Sequence, residues 1–356
     1  MAKNVYDELR EAFDALSFGF PKGMFRSDKM VLKKFYTEDE ARWFVDMGQG
    51  YITTADYAQK NGFSLETAEE RLEALANKGL IFRRRRPDKV EYKQYPFMMG
   101  LIEFQTYNED RSWAAPLGLW MFTSPFGERM THSMPMYRTI PFEQEVDDGT
   151  TVLPYDNINE LLDRHEVFSV MTCLCRTIFQ MKPGNKCTHP MDTCIMTDDY
   201  ARFIIENGWG REITRQEAYD ILIAGKDDGR VMNVVNSQDG ENICSCCDCG
   251  CGLLYLKRKY PGPGAKYWAR YYADFDAEKC VNCGLCHERC PMGALKVKKG
   301  VISIDLEVCL GCGICTSTCK KGALTLKRKN DEDLLEPPLT YDDAIEIWQS
   351  ERKQDK

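Results

Sequence analysis

The first residues of the chain alternate between hydrophobic and polar with the period of a helix. Val5, Leu9 and Phe13 recur every four positions, with polar residues between them. Such spacing places the apolar side chains on one helical face. The pattern therefore predicts an amphipathic helix over residues 4–17 that packs against the body of the protein.

Three helices and a hairpin are predicted next. Capping residues and a glycine stop mark the helix ends, and alternation around a basic turn marks the strands. The elements are helices that start at Thr37, Thr53 and Ser64, the last ending at Gly79, and strands Leu80–Phe82 and Val90–Tyr92 around the turn Arg83–Asp88.

This set resembles a winged-helix domain over residues 30–95. In such a domain the third helix would enter the major groove of DNA. Here it carries Glu66, Glu69, Glu70 and Glu73 against Arg71 and Lys78, and phosphates repel a negative helix. We therefore expect a packing or docking module and no nucleic-acid binding. The arginines of the turn leave contact with DNA, a protein or neighbouring acidic residues open.

Further elements are predicted along the rest of the chain. Residues 96–155 are rich in aromatic residues and methionine, which favours core packing, with a cofactor or partner groove as the alternative. Periodicity and capping then predict a helix over residues 157–165, a buried strand Val167–Met171, helices Asp198–Asn207 and from Thr214, and a last helix after Thr340.

Eight cysteines near the C-terminal end form a duplicated run. Its first half reads Cys280-x2-Cys283-x2-Cys286-x3-Cys290, and each of these cysteines recurs 29 residues later, at Cys309, Cys312, Cys315 and Cys319. Residues 295–304 between the halves alternate as a short hairpin around Lys299-Gly300 would. Repetition at one fixed offset indicates an internal duplication.

The duplicated run resembles the bacterial-type ferredoxins with two [4Fe–4S] clusters, over about residues 275–328. In that family the fourth cysteine of each half binds the other cluster. The resemblance implies one cluster on Cys280, Cys283, Cys286 and Cys319, and another on Cys309, Cys312, Cys315 and Cys290. A pair of zinc sites is the alternative, since Cys-x2-Cys also binds zinc.

Nine more cysteines lie in the middle of the chain: Cys173, Cys175, Cys187, Cys194, Cys244, Cys246, Cys247, Cys249 and Cys251. In an extended segment, residues two apart point to the same side. We therefore expect Cys173 to pair with Cys175, and Cys247, Cys249 and Cys251 to share one face. Cys244 and Cys246 would share the opposite face.

These nine cysteines predict metal binding, with one or two further iron–sulfur centres. Zinc sites, a single unusual cluster and redox-active disulfides stay open as alternatives. His189 is an alternative ligand, and Arg176 is placed to neutralise an anionic cluster.

Composition points to an ordinary globular chain in a reducing compartment. Of 356 residues 43% are hydrophobic, and seventeen are cysteines, an odd number at metal-like spacings. No apolar run approaches the roughly 20 residues that span a bilayer, and the N-terminus lacks an apolar signal core. We expect no membrane span, reduced thiolates and an anaerobic cytoplasm.

Charge is uneven along the chain, although the net charge is −8. Residues 280–330 carry nine Lys/Arg against three Asp/Glu, whereas residues 331–356 carry three against nine. Either the acidic tail covers the basic segment, or the basic segment docks an acidic redox partner.

Together these patterns predict a multidomain α+β fold. The expected segments are an amphipathic helix (1–29), a winged-helix-like domain (30–95), a cysteine-rich α/β middle domain (96–265), a dicluster ferredoxin-like domain (270–330) and an acidic strap helix (331–356). The arrangement resembles a broad set of multi-cluster 4Fe–4S proteins of anaerobes, whose partners are largely unassigned.

The functional expectation is electron transfer, as a relay subunit or partner of an oxidoreductase. No nucleotide-binding glycine motif is present, and we name no catalytic residue or substrate. Alternatives are a redox-sensing transcription regulator that uses the winged helix, and a catalytic cluster within residues 173–251.

Overall fold

The computed structural model describes residues 4–132, 134–142, 146, 152–259, 267–298 and 301–354. Its α-helices are α1 (Val5–Asp14), α2 (Ser27–Phe35), α3 (Glu38–Met47), α4 (Thr54–Asn61), α5 (Leu65–Asn77), α6 (Ile102–Phe104), α7 (Ala114–Thr123), α8 (Phe126–His132), α9 (Ile158–Asp163), α10 (Leu174–Gln180), α11 (Asp198–Glu206), α12 (Arg215–Asp227), α13 (Gly252–Lys259), α14 (Leu285–Arg289), α15 (Ile314–Thr318) and α16 (Tyr341–Gln354).

The strands complete the described architecture. They are β1 (Tyr51–Thr53), β2 (Phe82–Arg85), β3 (Val90–Lys93), β4 (Tyr137–Thr139), β5 (Phe168–Thr172), β6 (Asp192–Thr197), β7 (Gly210–Ile213), β8 (Val231–Val235), β9 (Asn242–Cys246), β10 (Tyr271–Phe275), β11 (Leu295–Lys298), β12 (Val301–Ile304) and β13 (Leu324–Arg328).

The fold contains two compact units. Unit 1 comprises Met1–Arg129, Asp199–Arg211 and Ile345–Lys356, and unit 2 comprises Met130–Asp198 and Glu212–Ala344. This division is coarser than the five segments expected from the sequence, which stay a prediction.

Unit 1 is built around aromatic side chains from its helices. The rings of Phe13 and Phe44 stack at 4.6 Å between centroids, and Phe20 stacks on Trp120 at 4.3 Å. Phe97 packs edge-on against Phe13. Several aromatic residues of the 96–155 stretch, Phe97, Trp113 and Trp120 among them, are buried, in keeping with core packing, whereas Phe122 is exposed.

The predicted helices and hairpin of unit 1 are present. Thr37 and Thr53 form capping boxes, and Gly79 adopts the left-handed conformation after α5. Strand β1 adds to the hairpin in the order β1-β3-β2. The three helices and three strands follow the order expected of a winged helix, which remains our interpretation of this region.

The basic turn was predicted wrongly. Arg83, Arg84 and Arg85 belong to β2, and the turn is closed by a hydrogen bond from the Arg86 amide to the Lys89 carbonyl at 2.8 Å. The strand continues because acidic residues face the arginines. Arg84, for example, lies opposite Glu91 in the register and pairs with it at 2.7 Å.

The first part of unit 2 contains a sheet whose strands follow the order β4-β8-β9-β6-β5. Helices α9 and α12 cover its hydrophobic face, where Leu161, Leu162 and Leu222 pack on Val170 and Ile243. Every predicted helix and strand of this region is present. Cys173 follows β5 directly, Cys194 lies on β6, and Cys244 and Cys246 lie on β9.

The C-terminal part of unit 2 repeats one motif. Strands β10 and β13 pair antiparallel, as do β11 and β12, and helices α14 and α15 lie between them. The predicted hairpin over residues 295–304 is confirmed by the pairing of Leu295 with Ile304. Its Lys299-Gly300 turn lies outside the described residues. The last helix, α16, starts after Thr340, whose hydroxyl accepts a hydrogen bond from the Asp343 amide at 3.1 Å.

Candidate metal centres

The two halves of the duplicated run fold alike, residue for residue. Gly284 precedes α14 with φ of 79°, and Gly313 precedes α15 with φ of 78°. One turn earlier, Asn282 and Gly311 are also left-handed, at 55° and 60°. The duplication seen in the sequence is therefore a duplication of backbone geometry as well.

Backbone amides of both halves point at cysteine sulfurs. The Ala294 and Ala323 amides each donate to the Sγ atom four residues earlier, of Cys290 and Cys319, at 3.3 Å. The Asn282 and Gly311 amides donate likewise to Cys280 and Cys309, at 3.4 Å. Amide donors around sulfur stabilise negative charge, which thiolates and iron–sulfur cores carry.

The first cavity of this region has a volume of about 190 Å³. Its lining cysteines are Cys280, Cys283 and Cys286 from the first half and Cys319 from the second. Cys283 is exposed, as are Lys320 and Lys321 on the same rim. The structure thus brings together the set that the ferredoxin spacing assigns to one cluster, and it does so at the surface.

The second cavity is smaller and more enclosed. Its cysteines are Cys309, Cys312 and Cys315 from the second half and Cys290 from the first. Burial above all raises the pKa of Cys312 to about 12. A metal that binds here must therefore displace protons.

In the middle region, six thiols lie together. They belong to Cys173, Cys175, Cys251, Cys246, Cys244 and Cys194. All six line one small cavity, which we call the six-thiol cavity. Strands β6 and β9 position part of it, because Cys194 and Cys244 face each other in the register.

Two expectations about these cysteines were wrong. Cys173 and Cys175 are not in an extended segment, because β5 ends at Thr172 and Cys173 starts α10. Both residues still line the same cavity.

The shared face of Cys247, Cys249 and Cys251 is also absent. The Cys251 amide bonds the Cys247 carbonyl at 3.1 Å, so these residues form a turn and not a strand. The turn sends Cys251 into the six-thiol cavity, whereas Cys249 faces Cys187. Cys244 and Cys246 do share a face, because both lie on β9 and line the same cavity, but Cys251 and Cys247 line that cavity too and are not on an opposite side.

The remaining cysteines form a three-thiol group. The Sγ atoms of Cys187, Cys247 and Cys249 all lie within 4.8 Å of one another. Those of Cys187 and Cys247 are 3.7 Å apart. Cys247 also lines the six-thiol cavity, so the two sets adjoin.

Two buried arginines surround these thiols. Arg176 donates through Nε to the Cys247 sulfur at 3.4 Å and through Nη1 to the Pro190 carbonyl at 2.7 Å. Burial lowers its pKa, but the thiolate charge at Cys173 and the Cys247 hydrogen bond raise it above its ordinary value. Arg230 is also buried. Its Nε pairs with Asp228 at 3.3 Å, and its Nη1 lacks a hydrogen-bond partner among the described residues. A buried cation with an unused donor beside thiols fits an anionic group held there.

The imidazole of the alternative ligand His189 contacts a carboxylate. Its Nδ1 contacts Asp228 at 2.5 Å, and among the described residues it is not part of the three-thiol group. Arg230, Lys257 and Asn185 near these sites were missed from the sequence. Lone arginine, lysine and asparagine residues carry no spacing signal that would have found them.

The arginines of the hairpin in unit 1 are engaged within that unit. Arg86 forms two hydrogen bonds with Asp199, one of them at 2.9 Å, and Arg85 pairs with Glu206. Arg83 is buried and pairs with both Glu73 and Glu206. Of the options left open for these arginines, the structure displays contact with acidic neighbours.

Residues 273–296 match the family of 4Fe-4S binding domains known as Fer4. The match includes the whole first half of the duplicated run and supports an iron–sulfur, ferredoxin-like domain in this part of the chain. Comparison with curated proteins and with solved structures found no match. Among the helices of the described residues, none has both the length and the apolarity needed to cross a membrane.

Proposed function

We propose that this protein transfers electrons through iron–sulfur clusters, as a relay subunit or partner of a cytoplasmic oxidoreductase. It would carry two [4Fe–4S] clusters in the duplicated run and a further iron–sulfur centre in the six-thiol cavity. The observation that carries the proposal is the exchange of cysteines: three thiols of one half and one of the other line each cavity.

The chain offers a short connection between the two metal regions. Helix α13 begins directly after Cys251 of the six-thiol cavity. Six residues later its Lys257 is buried, with thiols Cys309 and Cys312 of the second cavity close enough to affect its charge. The next residue, Arg258, donates to the Asp248 and Pro291 carbonyls, each at 3.1 Å. This helix supports an order in which electrons pass from the first cavity to the second and then to the middle region.

The surface cavity suits exchange with a partner protein. Val281 and Leu285 beside it are 59% and 47% exposed, and Lys320 and Lys321 add positive charge on the rim. Apolar contacts inside a basic rim favour a partner with an acidic docking face.

The deciding experiment is iron, sulfide and zinc content of protein purified without oxygen, followed by EPR after dithionite reduction. We expect about 12 iron per chain, the content of three cubes. Cys283→Ser should remove about four iron, because it takes one ligand from the first cavity. Unchanged iron in that variant would refute the assignment.

The alternative function, a transcription regulator, needs a separate test. The hairpin arginines of unit 1 that would contact DNA already pair with acidic residues. Binding to mixed-sequence duplex DNA should be absent even at low salt. Binding that weakens steeply with salt would favour the regulator.

A further inference from the structure

The three-thiol group differs from every other set of cysteines in the described chain. We propose that Cys187, Cys247 and Cys249 form a separate mononuclear site for a tetrahedral, thiol-binding divalent ion, Zn²⁺, with its fourth position open to an exchangeable ligand. The proposal deepens the proposed function, since it divides the middle region into one iron–sulfur centre and one zinc centre.

Distances between the sulfurs favour a single ion. In a tetrahedral zinc site, Zn–S bonds of about 2.3 Å place the sulfurs about 3.8 Å apart. Cys187 and Cys247 are 3.7 Å apart, and the third sulfur lies within 4.8 Å of both. In a cubic cluster each thiolate binds its own iron at a different corner, so the ligand sulfurs stand apart around the cube.

The two segments that supply the thiols are fastened to each other. Asn185 accepts a hydrogen bond from the Cys187 amide at 2.8 Å and donates to the Cys249 carbonyl at 3.2 Å. Gly250 lies against the group, because a Cβ atom there would meet the sulfurs of Cys187 and Cys247 at 3.4 Å. Asn185 and the close approach of Gly250 therefore keep the Cys187 and Cys249 segments beside each other.

Charge also fits this assignment. Three thiolates and one divalent ion leave a single negative charge, and the Arg176 Nε lies 3.4 Å from the Cys247 sulfur to balance it. Among divalent ions with tetrahedral preference, zinc is the one that thiolates commonly hold in proteins.

The fourth position is not filled by a described residue. No further histidine, cysteine, aspartate or glutamate within the described ranges has a ligand atom in the group. The nearest histidine in sequence, His189, contacts Asp228 instead. Three protein ligands with one open position are the pattern of zinc sites that exchange a ligand.

The test uses the full chain, purified without oxygen, and measures zinc and iron together. We expect about one zinc per chain. Cys187→Ser should remove the zinc and leave the iron unchanged. Cys173→Ser, a matched change in the six-thiol cavity, should keep the zinc and lose iron.

Two results would overturn the proposal. One is loss of about four iron with no zinc in Cys187→Ser, which would place these thiols on a cube. The other is a disulfide between Cys187 and Cys247 in metal-free wild type as purified. Absence of iron from the entire protein, with zinc present, would refute the proposed function and leave this site standing.

Cobalt substitution of the wild-type protein tests the open position without relying on a variant. The Co²⁺ form should show the visible bands of a tetrahedral thiolate site, and 2-mercaptoethanol should shift them. If the bands do not shift with added thiol but change in His189→Gln, His189 is the fourth ligand. The proposal of an open position would then be wrong.

Discussion

The duplicated run and the middle cysteine region both gather thiols in unit 2, but they stabilise them differently. In the duplicated run the thiols surround cavities, and backbone amides donate to their sulfurs, as that of Ala294 does to Cys290 at 3.3 Å. In the middle region thiols also line a cavity, but there a buried side chain, Arg176, donates to the Cys247 sulfur at 3.4 Å and supplies positive charge. The first arrangement should depend on backbone conformation and the second on individual side chains.

The largest effect is expected from a backbone position of the duplicated run. Gly311→Asn would bring a Cβ atom within 2.1 Å of the Tyr271 carbonyl oxygen, which is fixed in strand β10. We expect the free energy of unfolding to fall by about 3 kcal/mol. The second cavity should lose its cluster, seen as about four iron fewer per chain.

The equivalent position in the first half of the duplicated run provides the control for this change. Asn282 occupies the equivalent position of the first half with nearly the same φ, 55° against 60°, and it is exposed. Asn282→Gly should therefore keep its iron. If Gly311→Asn also keeps its iron and its stability, the backbone does not control this region as we argue.

Arg176→Met tests whether the middle region depends on an individual side chain. The change leaves the Pro190 and Ser245 carbonyls and the Cys247 sulfur without their buried donor. We expect a loss of about 2–3 kcal/mol in the free energy of unfolding and loss of the middle metals. Iron in the duplicated run should remain, as measured by EPR.

Arg176→Lys separates charge from geometry at the same position. Lysine keeps the charge but cannot donate to three partners in a plane. We expect the metal content of Arg176→Lys to lie between those of wild type and Arg176→Met. Equal loss of iron from both regions in either variant would indicate general unfolding and contradict a local role.

A metal site can be predicted from the sequence when its ligands lie close together along the chain. It is harder to predict when the ligands come from distant segments. The duplicated run could be predicted because its ligands follow tight local turns, so spacing carries the geometry. Its left-handed positions, such as Gly284 and Gly313, are readable as glycines.

The middle region could be predicted only as metal-binding. Its two thiol sets are sorted by tertiary structure: β6 lies beside β9, and a turn separates Cys249 from Cys251. Alternation in Cys244–Cys251 suggested one strand, yet the strand stops at Cys246. Local pattern cannot show where a strand gives way to a turn when both carry cysteine at every second position.

A smaller effect is expected at Asn185, whose two hydrogen bonds join the segments of the three-thiol group. Asn185→Ala removes both hydrogen bonds between the Cys187 and Cys249 segments. Loss of such an outer partner commonly weakens metal affinity about tenfold or more. Competition with a zinc chelator should show this weakening with iron unchanged.

Asn185→Asp retains the acceptor for the Cys187 amide and loses only the donor. Its zinc affinity should lie between those of wild type and Asn185→Ala. If both variants bind zinc as tightly as wild type, the hydrogen bonds of Asn185 do not position the thiols.

The smallest effect is expected where the two regions meet, at Lys257. This lysine is only 5% exposed, and thiols Cys309 and Cys312 of the second cavity influence its charge. Burial lowers the pKa of Lys257 to about 8, mainly by desolvation, so it is largely protonated at pH 7. A buried positive charge favours the more negative, reduced state of a nearby cluster. Lys257→Met should therefore lower the reduction potential of the second cluster by tens of millivolts, measured by EPR-monitored redox titration.

Lys259→Met is the matched control for Lys257→Met, because Lys259 lies on the same helix but is exposed. Solvent screens its charge, so its replacement should leave both potentials nearly unchanged. The first cluster should shift less than the second in Lys257→Met, since the thiols that raise the pKa of Lys257 most, Cys309 and Cys312, belong to the second cavity. Equal shifts of both clusters, or a shift upward, would show that Lys257 does not supply the charge. In that case the duplicated run would depend on its backbone amides only, and the contrast between the two regions would be sharper still.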